Sequence, residues 1–248
     1  MNKVEPAKLT FEFDFDFKAS EKPPEKPEYQ KSWFDYLADH FNPGDAPDFF
    51  RVAETFTGYL SCLPVSDAVQ AVLARVNEGA SKCVAALSLP KLFKNVSDLK
   101  KEWFYWEQAP AGDPGNFQKA TKVWYEFWNI LNSGTQAALG LHSSKIFNFK
   151  NSVPGINGVC QVTTILTDGQ TLVETWTENK GDLTAKCLRV AKYTSSVALA
   201  VILLLGIFYA ALLQQLVFTI LSLSMIYVVT SIIGGVYERA YPIGSIPG

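Results

Sequence analysis

The stretch Val197–Tyr237 decides the fold, and it reads VALAVILLLGIFYAALLQQLVFTILSLSMIYVVTSIIGGVY. Its only ionisable side chains are tyrosines, and most of its residues are Leu, Ile, Val, Ala or Phe. A helix needs about 20 apolar residues to cross the hydrocarbon core of a bilayer, so 41 residues are too many for one straight span. The polar pair Gln214-Gln215 divides the stretch into lobes at 197–213 and 216–236. Two lobes of this length predict a transmembrane helical hairpin.

The flanking residues indicate how this hairpin sits in the membrane. Three basic residues precede the first lobe: Lys186, Arg189 and Lys192. Positive charge next to a span favours the cytoplasmic side. Tyr193 and Tyr237 stand at the two outer ends, which a hairpin brings to one interface, where amphipathic rings are favoured. We therefore predict a membrane hairpin over 193–241, a short tail over 242–248, and both termini on the cytosolic side.

The point of reversal leaves alternatives open. Gln214 and Gln215 can donate hydrogen bonds to exposed backbone carbonyls, but the usual turn residues Gly, Pro, Asn and Asp are missing there. A shallow wedge that stays in the bilayer without crossing it, a buried hairpin of a soluble protein, and a single span with a re-entrant piece remain possible. We take Tyr193, Gln214, Gln215 and Tyr237 as the membrane-anchoring residues.

Residues 31–192 carry three apolar patterns with heptad spacing, which is typical of helices that pack side by side. The first is Val69, Leu73, Val76, Ala80, Cys83 and Leu87; the second is Phe117, Ala120, Trp124, Phe127, Leu131, Gly134, Ala138 and Leu141; the third is Val162, Leu166, Gly169, Val173, Trp176, Lys180, Leu183, Cys187 and Val190. Ser66 is a natural N-cap for the first helix, and Pro90 is expected to bend or interrupt it.

The fold class predicted from these patterns is all-α. It comprises an antiparallel helical bundle over 31–192 whose stripes share one apolar core, followed by the membrane hairpin. The third pattern is expected to continue into the membrane segment without a break. A coiled coil formed with another chain is the alternative for the stripes. The aromatic-rich residues 32–60 predict short helices that cap the core.

Residues 1–30 predict a disordered tail, because they are acidic and rich in proline. Within it, Phe11, Phe13, Phe15 and Phe17 alternate with acidic residues, which puts the four rings on one face of an extended strand. Such a strand could add to the sheet edge of a partner protein. Packing on the protein's own surface and a solvated acidic tract are the alternatives.

The sequence offers little chemistry. It has only two histidines and four scattered cysteines, so we expect no metal site and no disulfide scaffold. No phosphate-binding glycine loop or nucleophile elbow is found, so neither a cofactor nor an enzymatic activity is expected. A net charge of −2 argues against nucleic acid as a partner. A small basic cluster, Lys91, Lys94, Lys100 and Lys101, is interpreted as a solvated helix face.

The bilobed hydrophobic segment and the helical patterning resemble the inclusion-membrane proteins of chlamydial bacteria. That resemblance implies a secreted effector that exposes helical termini to the host cytosol and is exported without a cleaved signal peptide. It covers no residue-level motif, so no functional residue is carried over. The function expected is a membrane-anchored helical scaffold that recruits a protein partner or a second copy of itself. A membrane-shaping wedge with amphipathic helices and an accessory subunit of a membrane complex are the alternatives.

Overall fold

The computed structural model describes residues 28–109, 115–177 and 182–240. These ranges contain eight helices and no strand, so the predicted all-α class is confirmed. The predicted tails lie outside the described residues, except for 28–30. The helices are α1 (Trp33–His40), α2 (Ala46–Leu60), α3 (Asp67–Glu107), α4 (Asn116–Ser143), α5 (Val153–Thr177), α6 (Leu183–Phe208), α7 (Ala210–Gln215) and α8 (Val217–Ala240).

Six long helices form a closed ring. Each of α2, α3, α4, α5 and α6 packs against the next long helix in the chain, and α8 packs against both α6 and α2. Successive long helices run antiparallel. In the α5–α6 pair, Asp168 contacts Ser196. Gly158, ten residues earlier on α5, faces Ile207, which lies eleven residues later on α6. The small helix α1 lies outside the ring against the C-terminal half of α3.

Helix ends follow the local sequence. Ser66 is the N-cap of α3, as predicted. Asp182 is the N-cap of α6, and its Oδ1 accepts a hydrogen bond from the Thr184 backbone N–H at 3.0 Å. The prediction of one unbroken helix from Val162 into the membrane segment is therefore wrong. Because a new N-cap stands at Asp182, the third pattern is divided between two antiparallel helices.

The helix α3 continues through Pro90 without interruption. A proline removes one backbone hydrogen bond and weakens a helix interior, yet the tertiary contacts of α3 with α2 and α4 hold the helix on both sides of it. The predicted interruption is wrong. The short helices expected within 32–60 are present as α1 and α2, although α2 belongs to the ring and does not cap it.

Two helices are long and apolar enough to span a bilayer, α6 and α8. Only 28% of the most apolar 18-residue segment of α6 and 17% of that of α8 are buried, whereas the core helix of a soluble protein is mostly buried. The bounds of these helices differ from those of the predicted lobes. The helix α6 starts at Leu183, just before the basic residues that flank the first lobe, and stops at Phe208. It therefore crosses the boundary at 192/193 that was predicted between the bundle and the hairpin. Tyr209, with φ −132° and ψ 75°, breaks the helix, and the short α7 completes the reversal without a Gly or Pro turn.

Apart from Ala80, which is buried, the described residues of the apolar stripes are exposed or half-buried, which corrects the predicted shared core. Val76 is 48% exposed, Trp124 is 60% exposed and Val173 is 61% exposed. The buried positions of the ring are largely polar, and they include Ser81, Ser88, Asn95, Asn132, Ser133, Gln136, Gln161, Thr163, Thr164, Thr167, Thr175, Ser195 and Ser196. Heptad spacing identifies an apolar face, but it does not say whether protein, lipid or water covers that face.

Candidate functional site

The open end of the α6–α8 hairpin is closed by polar contacts. The Arg189 guanidinium lies 2.8 Å from Glu238 Oε1, which joins the first half of α6 to the end of α8. Tyr237 donates a hydrogen bond to the Asp182 carboxylate. Lys192 Nζ lies 5.1 Å from the ring centroid of Tyr193. The two predicted anchor tyrosines therefore stand at the same end of the hairpin.

Gln214 and Gln215 lie at the opposite end, on α7, and both are exposed. The close approach beneath them involves Gly206, where an added Cβ would overlap the Leu213 side chain. This glycine lets α7 fold back on α6 in a reversal that carries no other glycine and no proline. The four predicted anchor residues therefore mark the two ends of the hairpin.

A charged cluster lies inside the ring where α2, α3 and α4 meet. Lys91 Nζ forms an ion pair with Asp48 Oδ2, and Gln136 Nε2 donates to Asp48 Oδ1 at 2.6 Å. The side chains of Lys91 and Asp48 are only 18% and 23% exposed, so the prediction that Lys91 lies on a solvated face is wrong. A buried ion pair is tolerated when further hydrogen bonds satisfy it, and Gln136 supplies one.

Polar contacts continue from this cluster across α4 and α5. Asn132 Oδ1 accepts hydrogen bonds from Thr163 at 3.4 Å and from Thr164 at 3.3 Å. Arg51 Nη1 donates to Thr164 Oγ1 at 3.2 Å, which returns the network to α2. On the far side of α5, Ser196 donates to the Asp168 carboxylate at 2.5 Å and links α5 to α6. Every neighbouring pair from α2 to α6 is thus joined by buried or half-buried polar side chains.

Two cavities open at opposite ends of the ring. One, of about 650 Å³, is lined by Asp45, Phe49, Arg189, Lys192 and Glu238 among others, at the open end of the hairpin. The other, of about 350 Å³, is lined by Arg51, Glu54, Tyr59, Ser143, Asn157 and Gln161 among others, toward the reversal. The network of Asp48, Arg51 and Thr164 lies between them.

The α1 helix is fixed to α3 by a buried carboxylate. Asp35 is 2% exposed and accepts hydrogen bonds from Tyr29, Ser32 and Ser97 at 2.7–3.0 Å. Burial by itself would raise the pKa of Asp35, but the hydrogen bonds from Ser32, Ser97 and Tyr29 together hold its pKa well below the ordinary value. Tyr29 also packs edge-on against Phe104, so the chain leaves this site beside the end of α3.

The remaining expectations concern metals, thiols and the tail. Among the described residues, no three His, Cys, Asp or Glu side chains converge. His142 Nδ1 accepts a hydrogen bond from the Phe149 backbone N–H at 3.2 Å, and His40 packs against Phe41. All four cysteines are free thiols. The predicted partner-binding residues Phe11, Phe13, Phe15 and Phe17 lie outside the described ranges.

Sequence reasoning missed the polar interior, although the sequence carries a pattern for it. Polar residues recur at helical spacing beside or opposite each apolar stripe: on the adjacent face of α3 and on the opposite face of α4 and α5. They are Asn77, Ser81, Ser88 and Asn95 on α3, Asn129, Asn132, Ser133 and Gln136 on α4, and Thr164, Thr167, Thr171 and Thr175 on α5. Because a soluble helix shows the same alternation of faces, the pattern alone does not say which face lies inside.

Comparison with known proteins adds no relationship to this description. No protein-family model, no curated protein and no solved structure matches the chain.

Proposed function

We propose that the protein is a membrane-anchored helical scaffold that recruits a protein partner at a membrane surface. The helices α6 and α8 form the anchor, because they are the two described helices with the length and apolar character of membrane spans. The proposal makes recruitment the task of the α1 end, with the N-terminal tail supplying the recognition strand. The resemblance to chlamydial inclusion-membrane proteins likewise implies helical termini that are exposed to the cytosol.

The observation that carries the proposal is where the chain leaves the folded ring. Tyr29 packs against Phe104 near the end of α3, and α1 is held there by Asp35 and Ser97. The end of α3 and the open end of the hairpin lie on the same side of the ring, because the successive helices alternate in direction. The tail therefore emerges on the side of Arg189, where basic residues favour the cytosol.

The anchor and the bundle move as one body in this proposal. The α6–α8 hairpin is tied to α2 by the ion pair of Lys192 with Asp45 at 2.6 Å. Val52 on α2 belongs to the same buried cluster as Leu199, Ile220 and Tyr227 on the two spans. A scaffold so attached would present its partner at a fixed distance from the bilayer.

The test is proximity labelling in cells from a ligase fused to the N-terminus. The wild type is compared with a variant in which Phe11, Phe13, Phe15 and Phe17 are replaced by Ser, and with a control in which they are replaced by Leu. We expect a set of proteins that is labelled by the wild type and the Leu control but lost with the Ser variant, at unchanged membrane content. An identical labelled set for all three chains refutes recruitment by the tail. Tubulation of pure lipid vesicles by the purified protein would favour membrane shaping instead.

A further inference from the structure

The helix α5 lies beside α6 along its whole length. Trp176 contacts Lys186, Asp168 contacts Ser196, and Gly158 faces Ile207. The contacts thus run from the first turn of α6 to its last. If α6 lies in a bilayer, the middle and the N-terminal half of α5 lie beside it in the same layer.

The outward face of α5 suits hydrocarbon and not water. Val159, Val162 and Leu166 are 41–45% exposed. They lie at the level of the most apolar part of α6. From Pro154 to Val173, the only side chain of Asp, Glu, Lys, Arg or His is Asp168, which faces inward to Ser196. A soluble helix normally carries its polar residues outside, so this helix has the opposite arrangement.

The same arrangement continues around the ring. On α4, no ionisable residue occurs from Phe127 to Leu141, while its polar residues Asn132 and Gln136 are buried. On α3, Leu89, Phe93 and Val96 are 39–51% exposed, whereas Ser88 and Asn95 are buried. Apolar residues therefore face out at the level of the α6–α8 spans on three further helices.

The contacts between these helices are those that stabilise helix pairs in lipid. Without a hydrophobic driving force between helices, association relies on small residues and interhelical hydrogen bonds. Gly140 meets the Ala85 backbone so closely that an added Cβ would lie 2.6 Å from Ala85 N. Asn95 Nδ2 donates to the Asn129 carbonyl at 2.9 Å, and Ser81 donates to Glu54 at 2.6 Å. Inward polar residues of this kind, together with the charged side chains of α3, lower the average hydropathy of α3–α5, and among the described helices α6 and α8 alone have the hydropathy of membrane spans.

One end of the ring has the composition of a membrane interface. All six tryptophans of the chain lie toward the α1 end: Trp33, Trp103, Trp106, Trp124, Trp128 and Trp176. Five of them are 38–73% exposed. Basic residues gather at the same end: Lys100, Lys101, Lys119, Lys122, Lys186 and Arg189. Tryptophan belts mark headgroup regions, and an excess of Lys and Arg marks the cytosolic one.

We infer that the bundle itself is embedded in the bilayer, so that the outward apolar faces of α3, α4 and α5 contact lipid acyl chains. This inference rests on the α6–α8 anchor of the proposed function. The described part of the chain then crosses six times, with α2, α3, α4, α5, α6 and α8 as spans, and its first and last residues lie on one side. At 1.5 Å per residue, α4 and α5 are about 42 and 38 Å long, which exceeds a hydrocarbon core of about 30 Å. The shorter α2 has no fully exposed residue, and most of its side chains are half-buried.

The test is depth-resolved fluorescence quenching of the full-length protein in phosphatidylcholine–phosphatidylglycerol vesicles. The four native cysteines are replaced by alanine, and single bimane-labelled cysteines are introduced by F93C and V162C on the inferred lipid face. The matched controls are I226C on the α8 span and K145C in the α4–α5 loop. Each label is quenched once by an acyl-chain nitroxide and once by a water-soluble nitroxide.

We expect the lipid-to-water quenching ratio of F93C and V162C to lie within about twofold of the ratio for I226C. The same ratio should be about fivefold or more above that of K145C, because embedded helices exclude water. If F93C and V162C behave like K145C while I226C is quenched from lipid, the inference is wrong and the two-helix anchor stands. If all labels behave like K145C, both the inference and the anchor are wrong. V159C tests the same α5 face if V162C does not fold, as judged by circular dichroism.

Discussion

Replacing Gly140 by Ala should separate α3 from α4. Its added Cβ would stand 2.6 Å from Ala85 N and 2.9 Å from Ala85 Cα, and both atoms belong to a helix backbone that cannot rotate away. Ordinary contact begins near 3.4 Å, so the two helices must part by about 0.8 Å. Overpacking of this kind costs about 1–3 kcal/mol, against which Ala gains about 1 kcal/mol over Gly in helix propensity. We expect a net loss of up to about 2 kcal/mol in the free energy of unfolding.

The matched control is Gly134→Ala, which lies on the same helix. There an added Cβ would meet only Leu92 Cδ1 at 3.9 Å, an ordinary contact. This variant should keep the helix-propensity gain and be more stable than the wild type by up to about 1 kcal/mol. The assay is unfolding of the purified full-length protein in detergent, followed by circular dichroism. If G140A is as stable as G134A, the close α3–α4 crossing is wrong.

Three further predictions concern the α1 contact, the charged cluster and the lipid face. Because the pKa of Asp35 is lowered in the fold, its contribution to stability is complete above the ordinary Asp pKa of about 3.9 and is lost as the pH falls toward the folded value. Asp35→Asn should therefore lower the thermal midpoint at pH 7 and flatten its fall between pH 5 and pH 3; an unchanged acid profile contradicts this. Lys91→Met should leave Asp48 as an unpaired buried charge and lower the free energy of unfolding by about 3–5 kcal/mol. Adding Asp48→Asn to this variant should restore much of that stability in the same unfolding assay. If the double variant shows no recovery, the two residues are not coupled. Val162→Arg should reduce the fraction of the protein that resists alkaline extraction from membranes, since Arg costs about 2.5–3.5 kcal/mol at the centre of a span. Val69→Arg, which lies outside the inferred layer, should leave that fraction unchanged. Equal fractions for the two variants would contradict the lipid face.

Several parts of the architecture could be predicted because they depend on local sequence. The uncharged stretch Val197–Tyr237 predicts two apolar helices, and Ser66 marks the start of α3. Helix content follows from periodicity and capping, both of which act within a few residues. The reversal was harder, because α7 relies on the break at Tyr209 and on space beside Gly206, which no local turn motif encodes.

The candidate site was not predicted, because its parts are distant in sequence. Asp48 pairs with Lys91, 43 residues away, and receives a hydrogen bond from Gln136, 88 residues away. Taken singly, each of these side chains looks like an ordinary residue of a solvated helix face. The third pattern misled for a related reason: its stripe continues through Asp182, but the chain reverses there and the stripe belongs to two helices.

The sequence by itself determined that this chain is helical, that two of its helices are long and apolar enough for a bilayer, and that three of its segments carry an apolar stripe at helical spacing. Only the tertiary structure decided which face is inside. Helix periodicity reports that two faces differ, and an apolar stripe is equally suited to a protein core and to lipid. The ring turns the stripes outward because polar side chains from successive helices find their hydrogen-bond partners across the interior, as Asn132 does with Thr163 and Thr164. Those partners become neighbours only when the helices have assembled.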